Sequence, residues 1–294
     1  TEEKSYGILI VDRVLSNKAL NERDKQFIEI ISRQLAVALE MHISKRREIE
    51  SYKQLIASKD QFLSIANRFV PWEIIKMLNY KNILEVKVGD QAKHNLTIQF
   101  WDIRDFTSIS DEQQSTDVAS LLNSYLKEIS PIIRQFGGII DKYIGDGILS
   151  LYHEPRDGIL ASVRMIEKLR EYSLANSFPL RSGVGLTSGE VTITPMGYEE
   201  RIQITAISDR VNTASRIESI CKLVGASIIV DTDTFALSGL ENSLIHRRLG
   251  RFAMRGKKSK IDIVEVFASD EFHIREMKEA SIDRLNAVHR LVDQ

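Results

Sequence analysis

Two aspartates stand where a chain could hold a divalent cation. Asp102 follows the apolar stretch LTIQFW and opens DIRDFTSIS, which puts its carboxylate at a strand end where the backbone turns into a loop. Asp146 lies in YIGDGILS, where a Gly-Asp-Gly turn would present a carboxylate at a hairpin tip between strands of a sheet. Read singly, each has an ordinary alternative: Asp102 as a helix cap or turn residue, Asp146 as the Asp-Gly that hairpin turns favour. Together, two hard carboxylates at the ends of adjacent strands can hold one or two Mg²⁺ or Mn²⁺ ions against a triphosphate. The loop after Asp102 could add backbone N–H groups for phosphate oxygens where it leads into a helix. Asn212 and Arg216 fall four apart in VNTASRIESI, so a helix there carries both on one face, able to converge on one ligand. Without other motifs, such a pair is most often a piece of solvated surface.

The surrounding pattern supplies elements to position these groups. LTIQFWDI reads as a strand, DVASLLNSYLKEISPIIRQF as a helix, and GGIIDKYIGDGILSLY as two strands about the turn. ILASVRMIEKLREYSL is helical again, followed by strand LRSGVGLTSGEVTI, helix RVNTASRIESICKLV and strand ASIIV. A last strand pair surrounds GRFAMRGKKSKIDIVEVF. The expected fold is α/β, an α+β sandwich over residues 95–269 in which helices face a sheet, with a charged amphipathic helix over 270–294. Upstream, GILIVD reads as a strand, and Asn21-Glu22-Arg23-Asp24 starts a long helix. Heptad positions from Ile28 run through Leu35, His42, Ile49, Ile56 and Leu63, with a mixed companion set that includes Lys45 and Lys59. This suits either a parallel coiled coil or a solvated connector helix. Pro71 is expected to end the long helix and start a short one.

Composition narrows the classes further. Forty basic against 41 acidic residues give a net charge of −1, so no global field draws the 294-residue chain to nucleic acid. A single cysteine, Cys221, excludes an intrachain disulfide and fits a reducing cytoplasm. There is neither a run of about 18 apolar residues nor a signal peptide in TEEKSYGILIVD, so a cytoplasmic chain without direct membrane contact is expected. Because it opens on Thr1 almost directly in a strand, the sequence reads as a fragment of a longer protein.

FWDIRDFTSIS, DKYIGDGILSLY, ITAISDRVNTASRIE and FAMRGKK occur in the order and approximate spacing of the catalytic blocks of class III adenylate cyclases, which this part of the chain resembles. The resemblance implies a mixed, mainly antiparallel sheet and conversion of ATP to 3′,5′-cyclic AMP and diphosphate with two divalent ions, Mg²⁺ or Mn²⁺. It makes Asp102 and Asp146 the metal-binding aspartates, with the Ile103 carbonyl as a further ligand. It makes Lys142 the base-selecting lysine and Thr205, seven residues before Asn212, its partner in the threonine-containing subclass. Lysine can donate to N1 of adenine, and a hydroxyl can accept from the exocyclic amine. Asn212 would orient the ribose and Arg216 would stabilise charge on the phosphates. Phe106, Thr107, Arg201 and Arg255 would complete substrate binding, with Lys257 or Lys258 as alternatives to Arg255. The family builds its sites at a dimer interface, and both half-sites are present here, which implies a homodimer. Residues 1–40 resemble the last strand and helix of a GAF sensor domain, and 41–94 would be a signalling helix and transducer between sensor and catalytic domain.

Ser208 and Thr194 depart from frequent family glycines, and a side chain there could shift the nucleotide pocket. Two alternatives follow: a weak or inactive cyclase-like module that dimerises and senses nucleotide, or a guanylate cyclase. The complete residue set opposes the first and Lys142 the second, since guanylate cyclases usually carry an acidic residue there. The diguanylate cyclase block Gly-Gly-Asp/Glu-Glu-Phe is absent, and His42 has no sensor-kinase ATP-binding domain after it.

Overall fold

The computed structural model describes residues 21–106, 108, 115–198, 201–253 and 260–292. The chain divides into two compact units, Thr1–Phe69 and Val70–Gln294. In the first, helix α1 (Glu22–Phe69) has 48 residues, a length of about 72 Å at 1.5 Å per residue. It starts at a reciprocal cap, in which Asn21 Oδ1 accepts the Asp24 N–H at 2.9 Å and Asp24 Oδ2 accepts the Asn21 N–H at 3.1 Å. Leu35, Ile49, Tyr52 and Ile56, on the expected heptad positions, are exposed along it. α1 runs unbroken through residues 40 and 41, and the strand expected over GILIVD lies outside the described residues. Pro71, with φ −58° and no N–H to contribute, precedes α2 (Trp72–Met77) as expected.

The second unit is a mixed α/β fold around an eight-stranded sheet. Its strands are β1 (Ala92–Ile103), β2 (Ile139–Ile144), β3 (Gly147–Tyr152), β4 (Ser182–Tyr198), β5 (Arg201–Ile207), β6 (Ile228–Asp231), β7 (His246–Ala253) and β8 (Lys260–Val266). The order is β2-β3-β1-β4-β6-β8-β7, with β5 attached to the far end of β4. Among the described residues only β4 and β6 pair in parallel. One face is covered by α3 (Ser115–Gln135), α4 (Pro155–Asn176) and the short α6 (Thr232–Leu237), and the other by α2 and α5 (Asp209–Val224).

Strand alternation sorts the core accordingly. Trp101, Ile103, Ile148, Val184 and Leu186 meet Tyr125, Ile129 and Ile133 of α3 and Ile159 and Met165 of α4. Leu96, Ile98, Leu149 and Val191 meet Ile74, Ile75 and Ala214 on the opposite face. Within the first face, buried Gln99 is fully partnered: its amide donates to Ser162 Oγ (2.6 Å) and the Gly158 carbonyl (3.3 Å), and its oxygen accepts from Ser150 (2.6 Å) and Tyr152 (3.1 Å). At the sheet edge, α7 (Phe272–Val292) is tied down by buried charge. Lys278 donates to Glu265 at 2.5 Å and to Asp270, while Arg247 donates to the other Glu265 oxygen at 2.6 Å. No described helix is long and apolar enough to cross a membrane.

Helix α5 crosses β4 where Gly183 and Gly185 present no side chains to it. A Cβ on Gly185 would lie 2.3 Å from the Ala214 carbonyl oxygen and 2.4 Å from the Glu218 nitrogen, both helix backbone that cannot yield locally. Gly185→Ala is therefore expected to push α5 off the sheet at a cost of about 1–3 kcal/mol. Urea unfolding of the isolated protein measures this; an unchanged midpoint would show that the helix slides freely.

Candidate active site

The two acidic residues meet at one end of the sheet. Asp102 is the penultimate residue of β1 and pairs with Gly183 of β4. Asp146 sits in the β2–β3 turn, where Gly145 at φ +62° supplies the left-handed residue the reversal needs. The turn is docked on the end of β1: a Cβ on Gly147 would come within 2.9 Å of the Trp101 carbonyl and 3.1 Å of Asp102 Oδ1. From α3, the fully buried Tyr125 donates its hydroxyl to the Asp146 carbonyl and fixes the turn from behind. Burial, then the Asp146 charge, then that of Glu218 push the Asp102 carboxyl up to about 7, and a hydrogen bond between Asp102 and Asp146 adds to the shift. Glu218 is likewise pushed to about 7 by burial, with the Arg104 guanidinium opposing.

This pair suits a hard cation. Its oxygens are acceptors crowded together in a half-buried notch, and a divalent ion would offset the burial and like charge that raise the Asp102 carboxyl. Among the described residues no group of three or more His, Cys, Asp or Glu is arranged as a metal site. An ion at Asp102 and Asp146 would thus take its remaining oxygens from backbone, solvent or a phosphate ligand.

A second polar group forms where β2 approaches β5. A register shift between Ile140 and Lys142 bulges β2 at Asp141. The Asp141 side chain, with no solvent exposure, accepts the Ala206 N–H at 3.2 Å and the Thr205 hydroxyl at 3.3 Å. Lys142 Nζ lies 3.2 Å from Asp141 Oδ2 and donates to Thr205 Oγ1. Burial raises the Asp141 carboxyl above its usual range, opposed by the Lys142 ammonium and the bonds it accepts. Lys142 and Thr205, 63 residues apart in the chain, are thus brought into direct contact.

Helix α5 carries Asn212 and Arg216. Its N-cap is Ser208, which accepts the Arg210 N–H at 3.1 Å and donates to the Glu190 carbonyl at 2.7 Å. Ser208 has φ −167°, an extended conformation open to any residue, so serine is a useful cap here rather than a strained replacement for glycine. Thr194 is also accommodated, donating to the Asp90 carbonyl at 2.8 Å from a regular position opposite Thr205. Asn212 is exposed, and Arg216 has one buried terminal nitrogen, Nη1, with no protein partner.

The expected residues therefore fall into separate groups. Asp102 lies opposite Gly183 near the start of β4, whereas Thr205 lies opposite Thr194 near its end. Phe106 packs partly buried on the main core, and Arg201 is exposed on β5. Thr107, Arg255, Lys257 and Lys258 lie outside the described residues. Three contributors escaped the sequence reading: Tyr125, Asp141 and Glu218. Glu218 left one signal, an acidic residue four after Ala214 on the otherwise apolar face of α5.

Residues 88–266 match the adenylate and guanylate cyclase catalytic domain family, and the chain belongs to it. Among similar proteins are an adenylate cyclase of Anabaena cylindrica, 31% identical over 74% of this chain, and the terminal-differentiation-specific adenylate cyclase of Dictyostelium discoideum, 30% identical over 78%. The matched stretches are 45% and 11% of those proteins, so the chain corresponds to only part of either. The crystal structure of the adenylyl cyclase CyaB from P. aeruginosa superposes at TM-score 0.54 with 28% identity, covering 60% of this chain and 95% of that one. The guanylyl cyclase Cya2 superposes nearly as well, at TM-score 0.53 and 27% identity over 62% of this chain and 95% of its own.

The bond from Tyr125 to the Asp146 carbonyl gives a direct test of how the acidic turn is held. Tyr125→Phe is expected to cost about 0.5–1.5 kcal/mol in stability and to raise amide exchange at residues 145–147. Hydrogen exchange with mass spectrometry reads both; unaltered exchange at the turn would show that Gly147 packing suffices.

Proposed function

We propose that the chain is an adenylate cyclase, converting ATP to 3′,5′-cyclic AMP and diphosphate at sites formed between two copies of itself. The observation that carries the base choice is the contact of Lys142 with Thr205. It sets an ammonium donor beside a hydroxyl oxygen, a pair that suits the N1 acceptor and exocyclic amine of adenine; guanine presents the reverse polarity.

Asp102, Asp146 and the Ile103 carbonyl would hold two divalent ions, Mg²⁺ or Mn²⁺. When bound, such ions neutralise triphosphate charge and lower the pKa of the ribose 3′-hydroxyl. Asn212, projecting from α5, would orient the ribose. Arg216, one of whose nitrogens lacks a protein partner, would meet charge building on the α-phosphate as the 3′-oxygen attacks and diphosphate leaves. Phe106, Thr107, Arg201 and Arg255 remain assigned to substrate binding by family position. Because the acidic pair and the Lys142–Thr205 pair belong to opposite ends of β4, a two-fold dimer is the arrangement that lets one copy's carboxylates face the other's base-reading residues. Under this reading, residues 1–40 end a GAF-like sensor and 41–94 transmit its state. The exposed heptad side chains of α1 suit a parallel pairing of two such helices.

Incubation with ATP or GTP and Mg²⁺ or Mn²⁺, with chromatographic separation of products, tests the reading. Cyclic AMP is expected, falling about 100-fold or more in Asp146→Ala. Cyclic GMP alone would overturn the base assignment. Asp146→Ala and Arg216→Ala, each inactive alone, are expected to regain about a quarter of wild-type activity when refolded together in equal amounts, because half the dimers then hold one intact site of two. No recovery from demonstrated heterodimers would place both residues in a site within one subunit.

A further inference from the structure

We propose that Asp141 determines which base the site accepts, acting through Thr205 and Lys142 without touching the nucleotide. This rests on the adenylate cyclase reading above. The argument is a count of donors and acceptors. Asp141 is surrounded by donors: the Ala206 N–H at 3.2 Å, the Thr205 hydroxyl at 3.3 Å and the Lys142 ammonium at 3.2 Å. Two of these can only donate, and an ionised carboxylate can only accept. Thr205 in turn receives a hydrogen bond from Lys142. Its hydroxyl proton then has one place to go, Asp141, and its oxygen keeps one lone pair unspent.

Lys142 has three protons, of which Asp141 and Thr205 take two. The cluster therefore presents outward one N–H donor from Lys142 and one acceptor lone pair from Thr205. That pattern matches adenine and opposes guanine. A threonine hydroxyl alone would not discriminate, because it rotates to donate or accept as its partner requires. Asp141 removes that freedom. The β2 bulge and the bond from the Ala206 backbone are what hold the carboxylate against Thr205, which makes Asp141 a positioning residue.

Asp141→Asn is the informative change. The carboxamide oxygen can still accept the Ala206 N–H, but its NH₂ then donates to Thr205, freeing the threonine proton to point outward at O6 of guanine. The experiment measures kcat/KM and competitive binding against a fluorescent nucleotide for ATP and GTP with Mn²⁺. It compares wild type, Asp141→Asn, Asp141→Glu, Thr205→Val and the Asp141→Asn/Thr205→Val double variant. The ATP-to-GTP ratio is expected to fall at least about tenfold in Asp141→Asn, to persist in Asp141→Glu whatever its rate, and to change no further when Asp141→Asn is added to Thr205→Val. Equal losses with both nucleotides, or the same ratio change in the Thr205→Val background, would overturn the role. So would recovery of only unfolded protein from Asp141→Asn and Asp141→Glu alike, which would assign Asp141 to the fold alone. A wild type that binds and turns over GTP in preference to ATP sinks the adenylate reading and this proposal with it. A wild type that prefers ATP, with an unmoved ratio in Asp141→Asn, sinks only the role of Asp141.

Discussion

Helix α5 rests on β4 with backbone against backbone, and most of what the catalytic unit positions is referred to that contact. Gly183 and Gly185 leave the space, and Glu218 fills the first of the two gaps, its carboxylate oxygen 2.4 Å from where a Gly183 Cβ would stand. β4 is also the strand with most partners, pairing with β1, β5 and β6. A displacement of α5 would therefore move Asn212 and Arg216 relative to Asp102. Arg104 reinforces the arrangement, donating to the Cys221 and Ala226 carbonyls and so tying the end of β1 to the C-terminal turn of the same helix.

The two polar groups embody opposite electrostatic conditions. Around Asp102 and Glu218, burial and the neighbouring Asp146 charge act in the same direction, and both carboxyls are pushed up to about 7. At Asp141, Lys142 and Thr205, a more deeply buried carboxylate has a full set of donors. The first group is built to gain from an incoming positive charge. The second is already satisfied and offers only the residual valences of its hydrogen bonds, which is the condition for selecting a neutral base by polarity.

The sequence was most legible where spacing and turn chemistry coincide. The Gly-Asp-Gly reversal, the strand that carries Asp102 at its end and the four-residue interval between Asn212 and Arg216 all predict their elements. The apolar period predicts α3 straight through Pro131, and the helix does continue through it. β5 was not read as a separate strand, because RIQITAI follows a long apolar strand with no strong turn signal between them. The six residues of α6 are too few for a helical period to show in the sequence. Thr194 and Ser208 looked like liabilities only because a glycine's absence says nothing of its backbone angles. Asp141 looked like one more charge beside a lysine. Its burial depends on β5 arriving from more than 60 residues away, a tertiary fact that no local window contains.

The ion cluster at the sheet edge bears on where the folded unit ends. The family match stops at residue 266, one residue beyond Glu265, whose side chain has no solvent exposure. One of the two cations that compensate it, Lys278, comes from α7, outside the match. A chain trimmed to the family boundary would keep the buried carboxylate and lose half its counter-charge, along with the link through Lys278 to Asp270. The homology border and the thermodynamic border thus differ by a whole helix. In this chain α7 is structurally part of the catalytic unit, even though nothing in it is assigned to chemistry.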